Sequence, residues 1–451
     1  MEQLIDNLRV GPQPARPLLG RLAISRPTLS RLVTSTRGRV VRIGRARATQ
    51  YALRREIRTH GDRWPVYRVG PNGRAETAAT LHALTPRAWW YEPNGPTPGW
   101  LLGDFRGGLF PDLPWFLDGL RPQGFMGRAF ARRHSEALGL SSDPSVWDAG
   151  GVLTALLLHG DDLPGDFVIG DQMLDKLQRA ALTAPTAVPL QERATQFPRL
   201  SEAALAGQTI GSSAGGEQPK FMAYVNDGHD LRPVLVKFSP PVDTAAGQRW
   251  ADLLACEHLA AETMRAHEIP TCITEVIDAG GRRHLQVDRF DRVGTHGRRG
   301  FVALSALDAA HYGRLDTWYA AADRLQPDGW LTPDDADRLR VLWYFGGLIG
   351  NADMHFGNIG LAFDDARPLP LAPCYDMLPM HYRPGPTGEL STREFTAPLP
   401  APQHRHLWAH AAQMAEAFWQ HATQDARISD AFRDKARRVL QHTRTLAQRF
   451  G

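Results

Sequence analysis

Leu348-Ile349-Gly350-Asn351-Ala352-Asp353-Met354-His355-Phe356-Gly357-Asn358-Ile359-Gly360-Leu361 decides how the rest of this 451-residue chain is read. Two apolar runs enclose a segment that carries Asn351, Asp353, His355 and Asn358. A plain turn between packed elements rarely needs so many polar groups, so the density points to chemistry. Asp353 and Asn358 lie five residues apart. Such a carboxylate can accept a hydroxyl proton, and such an amide oxygen can ligate a hard cation. Downstream, Leu371-Ala372-Pro373-Cys374-Tyr375-Asp376-Met377 ends a short apolar strand on a second carboxylate, 23 residues after Asp353. Asp376 and Asn358 supply the hard-oxygen donors that suit Mg²⁺, an ion that keeps several waters and binds through substrate phosphates.

Upstream, Leu235-Val236-Lys237-Phe238 sets a lysine among apolar strand residues. A buried ammonium demands a partner. The helix expected over about Gly247–His267 offers Glu257, with Glu262 as the other choice. Before that strand, Gly211-Ser212-Ser213-Ala214-Gly215-Gly216-Glu217-Gln218-Pro219-Lys220 is a run of small residues whose backbone N–H groups can approach a triphosphate. Taken alone it reads equally as a flexible turn, and Glu217-Gln218 stand where a P-loop carries Lys-Ser/Thr. Strands are expected at Phe221–Val225, Val234–Phe238, Ile273–Ala279 and His284–Phe290, and mostly helix after about Phe301. A strand-rich lobe with one inserted helix, then a helical lobe, is the order of a protein-kinase-like fold, in which Asp and Asn share the Asp353–Asn358 spacing. Residues 61–150 are rich in Gly, Pro and Trp and read as short β segments followed by helices, and the stretch from Asp171 to Gln208 reads as a polar, proline-broken connector.

The N-terminal end has a different character. Arg16 to Arg58 carries twelve arginines against one acid, Glu56, a local charge of about +11 in a chain whose total is +4. This end seeks polyanions and the remainder does not. Leu18, Leu19 and Leu22 form an apolar face, Ser25 is a helix cap and Pro27 sits in the first turn, where its missing N–H is no loss. Leu29, Leu32 and Val33 then recur with helical spacing and leave Arg26, Thr28, Ser30 and Arg31 outward. Val40–Arg45 and Thr49–Leu53 alternate as two strands around Gly44–Ala48, with Arg45 and Arg47 at the tip. Helix, turn, helix and hairpin in this order predict a winged helix-turn-helix, Arg26–Thr36 entering a major groove of DNA. A solvated arginine-rich face is the plainer alternative.

Hydrophobic content of 43% and charged content of 22% are ordinary for a globular protein and exclude wholesale disorder. Cys256, Cys272 and Cys374 lie far apart, which argues against a disulfide scaffold or a thiolate zinc site and fits a reducing compartment. The acidic start MEQLIDNLRV is unlike a signal peptide, and no apolar run approaches the span of about 20 residues that a membrane helix needs. The expectation is a cytoplasmic protein, nucleoid-associated through its basic end, with no membrane partner. His404, His406 and His410 carry a helical spacing and are read as an exposed helix face rather than a metal site.

The quoted motifs resemble those of the HipA-like serine/threonine kinases, the toxin components of bacterial toxin–antitoxin modules. The resemblance spans about residues 100–451 and rests on Ser212–Lys220, Asp288-Arg289-Phe290-Asp291-Arg292, Asn351-x-Asp353-x-His355-x-x-Asn358 and Tyr375-Asp376. A basic winged helix ahead of the kinase is similar to the HipH/YjjJ-like branch. The resemblance implies an α+β, bilobal fold: a winged helix over 1–60, a β-rich lobe with the phosphate loop over 61–290, and a helical catalytic lobe over 291–451. It implies ATP and Mg²⁺ as cofactors, Asp353 as catalytic base, Lys237 on the phosphates with Glu257 holding it, and Asn358 and Asp376 on the metal. It places ATP against Ser213, Ala214, Gly215 and Gly216, with Val287, Asp288, Arg289 and Phe290 as the adenine hinge. His355 is read as shaping the catalytic loop or touching phosphate, and Ser212 or Ser213 as an autophosphorylation site. A protein substrate such as a translation factor follows by analogy, and an antitoxin and a homodimer are admitted as partners. A Mg²⁺-dependent nuclease fed by the winged helix, and a transcriptional regulator that only senses nucleotide, are the rival readings. The intact Lys237 and hinge weigh against the first, the intact Asp353 against the second.

Overall fold

A computed structural model describes residues 1–95, 97–207, 218–390 and 395–451. The small-residue loop at 211–217, with Ser212, Ser213, Ala214, Gly215 and Gly216, lies outside the described residues.

The N-terminal unit contains α1 (Glu2–Arg9), β1 (Gln13–Pro14), α2 (Ala15–Leu22), α3 (Arg26–Ser35), β2 (Val40–Ile43) and β3 (Gln50–Leu53), with sheet order β1-β3-β2. α2 stops where Ala23 takes a left-handed conformation, and the Ser25 hydroxyl accepts from Thr28 N–H to start α3. The apolar spacing read from the sequence becomes a small core of Leu4, Leu8, Leu18, Leu29, Val40 and Leu53. The two hairpin strands are shorter than expected because Ala46–Ala48 form a 3₁₀ turn. Gly44 permits it: its φ is +75°, and a Cβ there would stand 2.8 Å from the Ala48 carbonyl. The other face of β2 and β3 is apolar as well, and Val41, Ile43 and Ala52 pack on Leu84 and Trp90 of the next unit.

That unit is a five-stranded antiparallel sheet of order β7-β6-β5-β4-β8, built from β4 (Arg63–Val69), β5 (Ala75–Ala83), β6 (Trp89–Pro93), β7 (Leu109–Phe110) and β8 (Phe167–Ile169). α4 (Gly99–Leu102), α5 (Trp115–Asp118), α6 (Gly124–Leu138) and α7 (Ala149–His159) lie between β6 and β8, and α8 (Asp171–Ala180) follows. Of the tryptophans that mark this stretch of sequence, Trp64, Trp89, Trp100 and Trp115 are buried in one core, while Trp90 packs against the N-terminal unit.

A second five-stranded sheet, order β12-β13-β11-β10-β9, comprises β9 (Ala187–Pro189), β10 (Lys220–Asn226), β11 (Leu231–Phe238), β12 (Thr274–Ala279) and β13 (Arg282–Asp288). Residues 61–290 therefore contain two separate sheets. β9 runs parallel to β10 in what the sequence suggested was only a connector, and α9 (Arg193–Leu205) continues through Pro198. α10 (Ala245–Ala266) starts at a Thr244 cap and covers β13. Its Gly247 is required by close approach, since a Cβ would lie 1.8 Å from the Pro241 carbonyl.

Among the described residues the remainder contains β14 (Arg292–Val293), β15 (Gly297–Arg298), β16 (Phe301–Ala303), β17 (Gly360–Ala362) and five helices. Contrary to the expectation of mostly helix after Phe301, the described residues between Leu348 and Arg405 form loop and short 3₁₀ turns around β17, because they carry the polar segment and its turns. α11 (Leu304–His311), α12 (Trp318–Leu325), α13 (Pro333–Leu348), α14 (Arg405–Gln424) and α15 (Asp430–Phe450) share the large core with the middle unit. Thr332 caps α13, with Pro333 at its first position and Asp334 and Asp335 in its first turn. α13 ends at Leu348, and Gly350 at φ +76° turns the chain into the polar segment that opened the sequence reading. Among the described residues no helix is long and apolar enough to cross a membrane.

Candidate functional site

Lys237 lies on β11, flanked by β10 and β13, and only 4% of it is exposed. Removing an ammonium from water is costly unless carboxylates answer it. Two do: Lys237 Nζ donates to Glu257 Oε1 of α10 at 2.5 Å, and also to the Asp376 carboxylate. Glu262, the other residue considered, is exposed and paired with Arg265. Burial alone would discharge Lys237, yet the flanking Asp376 and Glu257 raise its pKa and keep it protonated. Burial likewise works against the Asp376 carboxylate, but Lys237 and Lys220 hold it below its ordinary value. For Glu257 burial wins over Lys237, and its pKa is raised. Among the described residues no hydrogen-bond partner reaches Glu257 Oε2.

In the sequence, Lys220 is only the end of the small-residue loop. The antiparallel register sets it directly opposite Lys237, 2% exposed. The register thus sets two lysines beside the Glu257 and Asp376 carboxylates, and no sequence period reveals that, because it depends on the pairing of β10 with β11.

The segment after α13 is held by its own side chains. Asn351 Oδ1 accepts from Asp353 N–H at 3.0 Å, and Asn358 Nδ2 donates to the Asp353 carbonyl at 2.9 Å. That bond leaves Oδ1 as the group Asn358 can offer a cation. His355 Nδ1 accepts from Gly357 N–H at 3.0 Å, and its carbonyl accepts from Trp318 Nε1 at 3.1 Å. Tyr375 Oη donates to the Gly357 carbonyl at 2.9 Å, tying the two loops together. Asp376 has φ +55°, a left-handed conformation that costs a non-glycine residue on the order of 1 kcal/mol.

Two cavities meet at this point. The first is lined by Lys237, Val287, Asp288, Phe290, Asn358 and Asp376, among others. Phe290 and Tyr375 stack at 5.9 Å along one side. Phe116, Gly119 and Leu120 of the middle unit form another wall, which no local pattern in the sequence marks. The second is a wider cleft lined by Asp353, His355, Trp250 and Arg383. Lys220, Lys237 and Asp376 line both. The residues singled out in the sequence thus fall into two groups: Lys237, Asn358, Asp376 and Val287–Phe290 on the inner cavity, Asp353 and His355 on the open cleft.

The Asp288–Arg292 motif also has a second task. Arg289 donates to Asp291 and Asp162, and Arg292 donates to Asp291, Asp162 and the Leu163 carbonyl. Asp162 belongs to the middle unit, so the motif clamps that unit to the strand-rich lobe. Arg289 lines the inner cavity while its guanidinium is committed to this clamp.

The donor set fits a phosphate-borne cation. Among the described residues no three His, Cys, Asp or Glu side chains converge on a metal cage. Asn358 and Asp376 instead face one cavity beside two lysines, the sparse oxygen set that suits Mg²⁺ carried by phosphates.

Away from this site, Arg26, Ser30, Arg31, Arg45 and Arg47 are exposed on α3 and the hairpin. Thr28 is half-buried, and its hydroxyl bonds to Ser25 in the α3 cap. His404 hydrogen-bonds the Tyr319 hydroxyl, His410 Nε2 lies 3.2 Å from His267 Nδ1, and His406 is exposed.

Residues 60–178 match the family described as YjjJ-like toxin, middle domain, and residues 212–449 match the HipA-like C-terminal domain. The chain is 37% identical to Toxin YjjJ of Escherichia coli (strain K12), over 100% of this chain and 99% of that protein. Similar solved structures include HipA of Shewanella oneidensis MR-1, solved with HipB and operator DNA, at 15% identity and TM-score 0.41, covering 74% of this chain and 83% of that one. The Helicobacter pylori proinflammatory kinase CtkA aligns at 12% identity and TM-score 0.36, covering 52% of this chain and 90% of that one.

Proposed function

We propose, since the chain belongs to the HipA-like toxin family, that it is a serine/threonine protein kinase that uses Mg-ATP and carries its own DNA-binding winged helix. The observation that supports this most is the placement of Lys237, pinned between Glu257 and Asp376 where the inner cavity meets the cleft of Asp353.

Val287–Phe290 would read adenine at the C-terminal end of β13, Lys237 would bind the phosphates, and Asn358 with Asp376 would hold Mg²⁺. Bound Mg-ATP would supply the transferable phosphoryl group and the neutralisation of charge on its oxygens. The chain's own contribution is positioning. Glu257 keeps the Lys237 ammonium at one place, and Lys220 adds a second positive charge beside it. Asp353, held through its backbone by Asn351 and Asn358, orients the acceptor hydroxyl in the cleft and accepts its proton. His355 shapes this loop through its bonds to Gly357 and Trp318. Ser212 or Ser213 is the proposed internal acceptor. A protein of the translation machinery is the proposed external one, with an antitoxin as a regulatory partner.

Topology and charge support the N-terminal reading. α2, α3 and the β2–β3 hairpin follow one another as in a winged helix, and Arg26, Arg31, Arg45 and Arg47 are all exposed.

Titration calorimetry with ATP, with and without Mg²⁺, tests the site. Wild type should bind ATP more tightly with Mg²⁺, Lys237→Met should lose at least tenfold in affinity, and Asp376→Asn should lose the Mg²⁺ dependence. Equal ATP affinity in wild type and Lys237→Met would overturn the assignment.

A further inference from the structure

A third cavity lies beyond the Arg289 clamp, between α8 of the middle unit and the β10–β11 pair. It measures about 450 Å³, within the range of small-molecule sites. Leu174, Leu177, Ala181, Met222 and Val234 give it an apolar body, and Lys176 and Arg298 add cationic groups. Met222 and Arg289 separate it from the nucleotide cavity, and each lines both.

The charges around it do not balance. Asp161 pairs with Lys176 at 2.8 Å, and Asp166 with Arg68 at 2.8 Å. Asp162 and Asp291 are shared by Arg289 and Arg292. Four carboxylates thus answer Arg68, Lys176, Arg289 and Arg292, and among the described residues none within ion-pair distance answers Arg298. Only 5% of Arg298 is exposed; its Nη2 donates to the Asp161 carbonyl at 2.5 Å, and its Nη1 has no hydrogen-bond partner among those residues. Burial and Arg292, with a smaller push from Arg289, lower its pKa to about 10 against the pull of Asp162 and Asp291. Native proteins rarely leave a buried cation in this state, because the uncompensated charge destabilises the fold until a counter-charge arrives.

We propose that this cavity is a second small-molecule site, separate from the nucleotide site, for an organic oxyanion on an apolar body, and that Arg298 supplies the charge that selects it. In a low-dielectric wall the field of one guanidinium without a carboxylate of its own reaches across the cavity, while Lys176 at the rim is already paired with Asp161. The apolar lining excludes a bare inorganic ion and favours a phosphorylated or carboxylated molecule with a hydrophobic part. The proposal does not depend on the kinase reading, since neither Arg298 nor α8 belongs to the proposed catalytic set.

Calorimetry on the full chain, with phenyl phosphate, benzoate and inorganic phosphate as probes and ADP saturating the nucleotide cavity, tests it. Phenyl phosphate or benzoate should bind one per chain in the presence of ADP, at least tenfold more tightly than inorganic phosphate, and the tighter of the two identifies the headgroup. Arg298→Met should weaken that binding at least tenfold, and Arg298→Lys, which keeps the charge and guards against a folding artefact, should stay within about threefold of wild type. Binding that survives Arg298→Met, that is lost in Lys237→Met, or that is absent for both organic probes would overturn the proposal.

Discussion

The Lys237 cluster and the Arg289 clamp are both buried ion networks, yet they are built on opposite plans. In the clamp, Arg289 and Arg292 meet Asp162 and Asp291, with backbone carbonyls and the Gly165 N–H completing the set. Its carboxylates are held as anions: despite burial, Arg289 and Arg292 keep Asp162 and Asp291 below the ordinary range. In the Lys237 cluster, two carboxylates share one ammonium, Glu257 Oε2 has no partner among the described residues, and Asp376 holds a left-handed backbone. The first network is closed and joins two units. The second keeps an unpartnered carboxylate oxygen and backbone strain beside a cavity, as expected where a ligand is to complete the set.

If that contrast is right, breaking the two networks has different consequences. Lys237→Met should lower the initial rate of phosphotransfer at least ~10³-fold while changing unfolding free energy by only about 1 kcal/mol, because the Glu257 carboxyl can take a proton once the ammonium is gone. Kinetics and denaturant unfolding on one preparation check both halves. Arg289→Met should do the reverse to stability, lowering it by about 3 kcal/mol, since Asp162 and Asp291 are left partly unanswered in the interior. A clamp variant as stable as wild type would erase the distinction.

His284 sharpens the comparison from a third side, as a buried group kept neutral. Fully buried among Phe197, Phe221 and Phe238, with Nε2 3.0 Å from Ser201 Oγ, it has its pKa lowered by burial to about 4. The unfolded chain takes up this proton near pH 6.5 and the folded chain only near 4. Stability should therefore fall as pH drops through that window, by up to about 3 kcal/mol. His284→Gln should flatten that part of the profile in pH-dependent unfolding. The smallest effect concerns exposed charge. Neutralising Arg26 and Arg31 together should weaken DNA binding about tenfold and reduce its salt dependence by roughly two counterions, with phosphotransfer unchanged. Fluorescence anisotropy over a salt series would show it.

The parts of this molecule that can be read from the sequence are those whose meaning is local. The polar island between two apolar runs marks Asp353 and Asn358, and a lysine on an apolar strand marks Lys237, while the choice between Glu257 and Glu262 is settled only by the packing of α10. The α3 cap at Ser25 and the Gly44 turn are local too. What stayed hidden depends on pairing across the chain. Lys220 faces Lys237 only through strand register, β9 is a three-residue strand recruited by a neighbour, and the Phe116–Leu120 wall comes from another unit. Arg289 and Arg292 look like hinge neighbours until Asp162, more than a hundred residues earlier, is brought beside them.

The most direct test of the account is the intact mass of the full chain after incubation with Mg-ATP, compared between wild type and Asp353→Ala. The account predicts one added phosphate on wild type, mapping to Ser212 or Ser213, and none on Asp353→Ala. Equal phosphorylation of the two proteins, or none in either at saturating Mg-ATP, would contradict it.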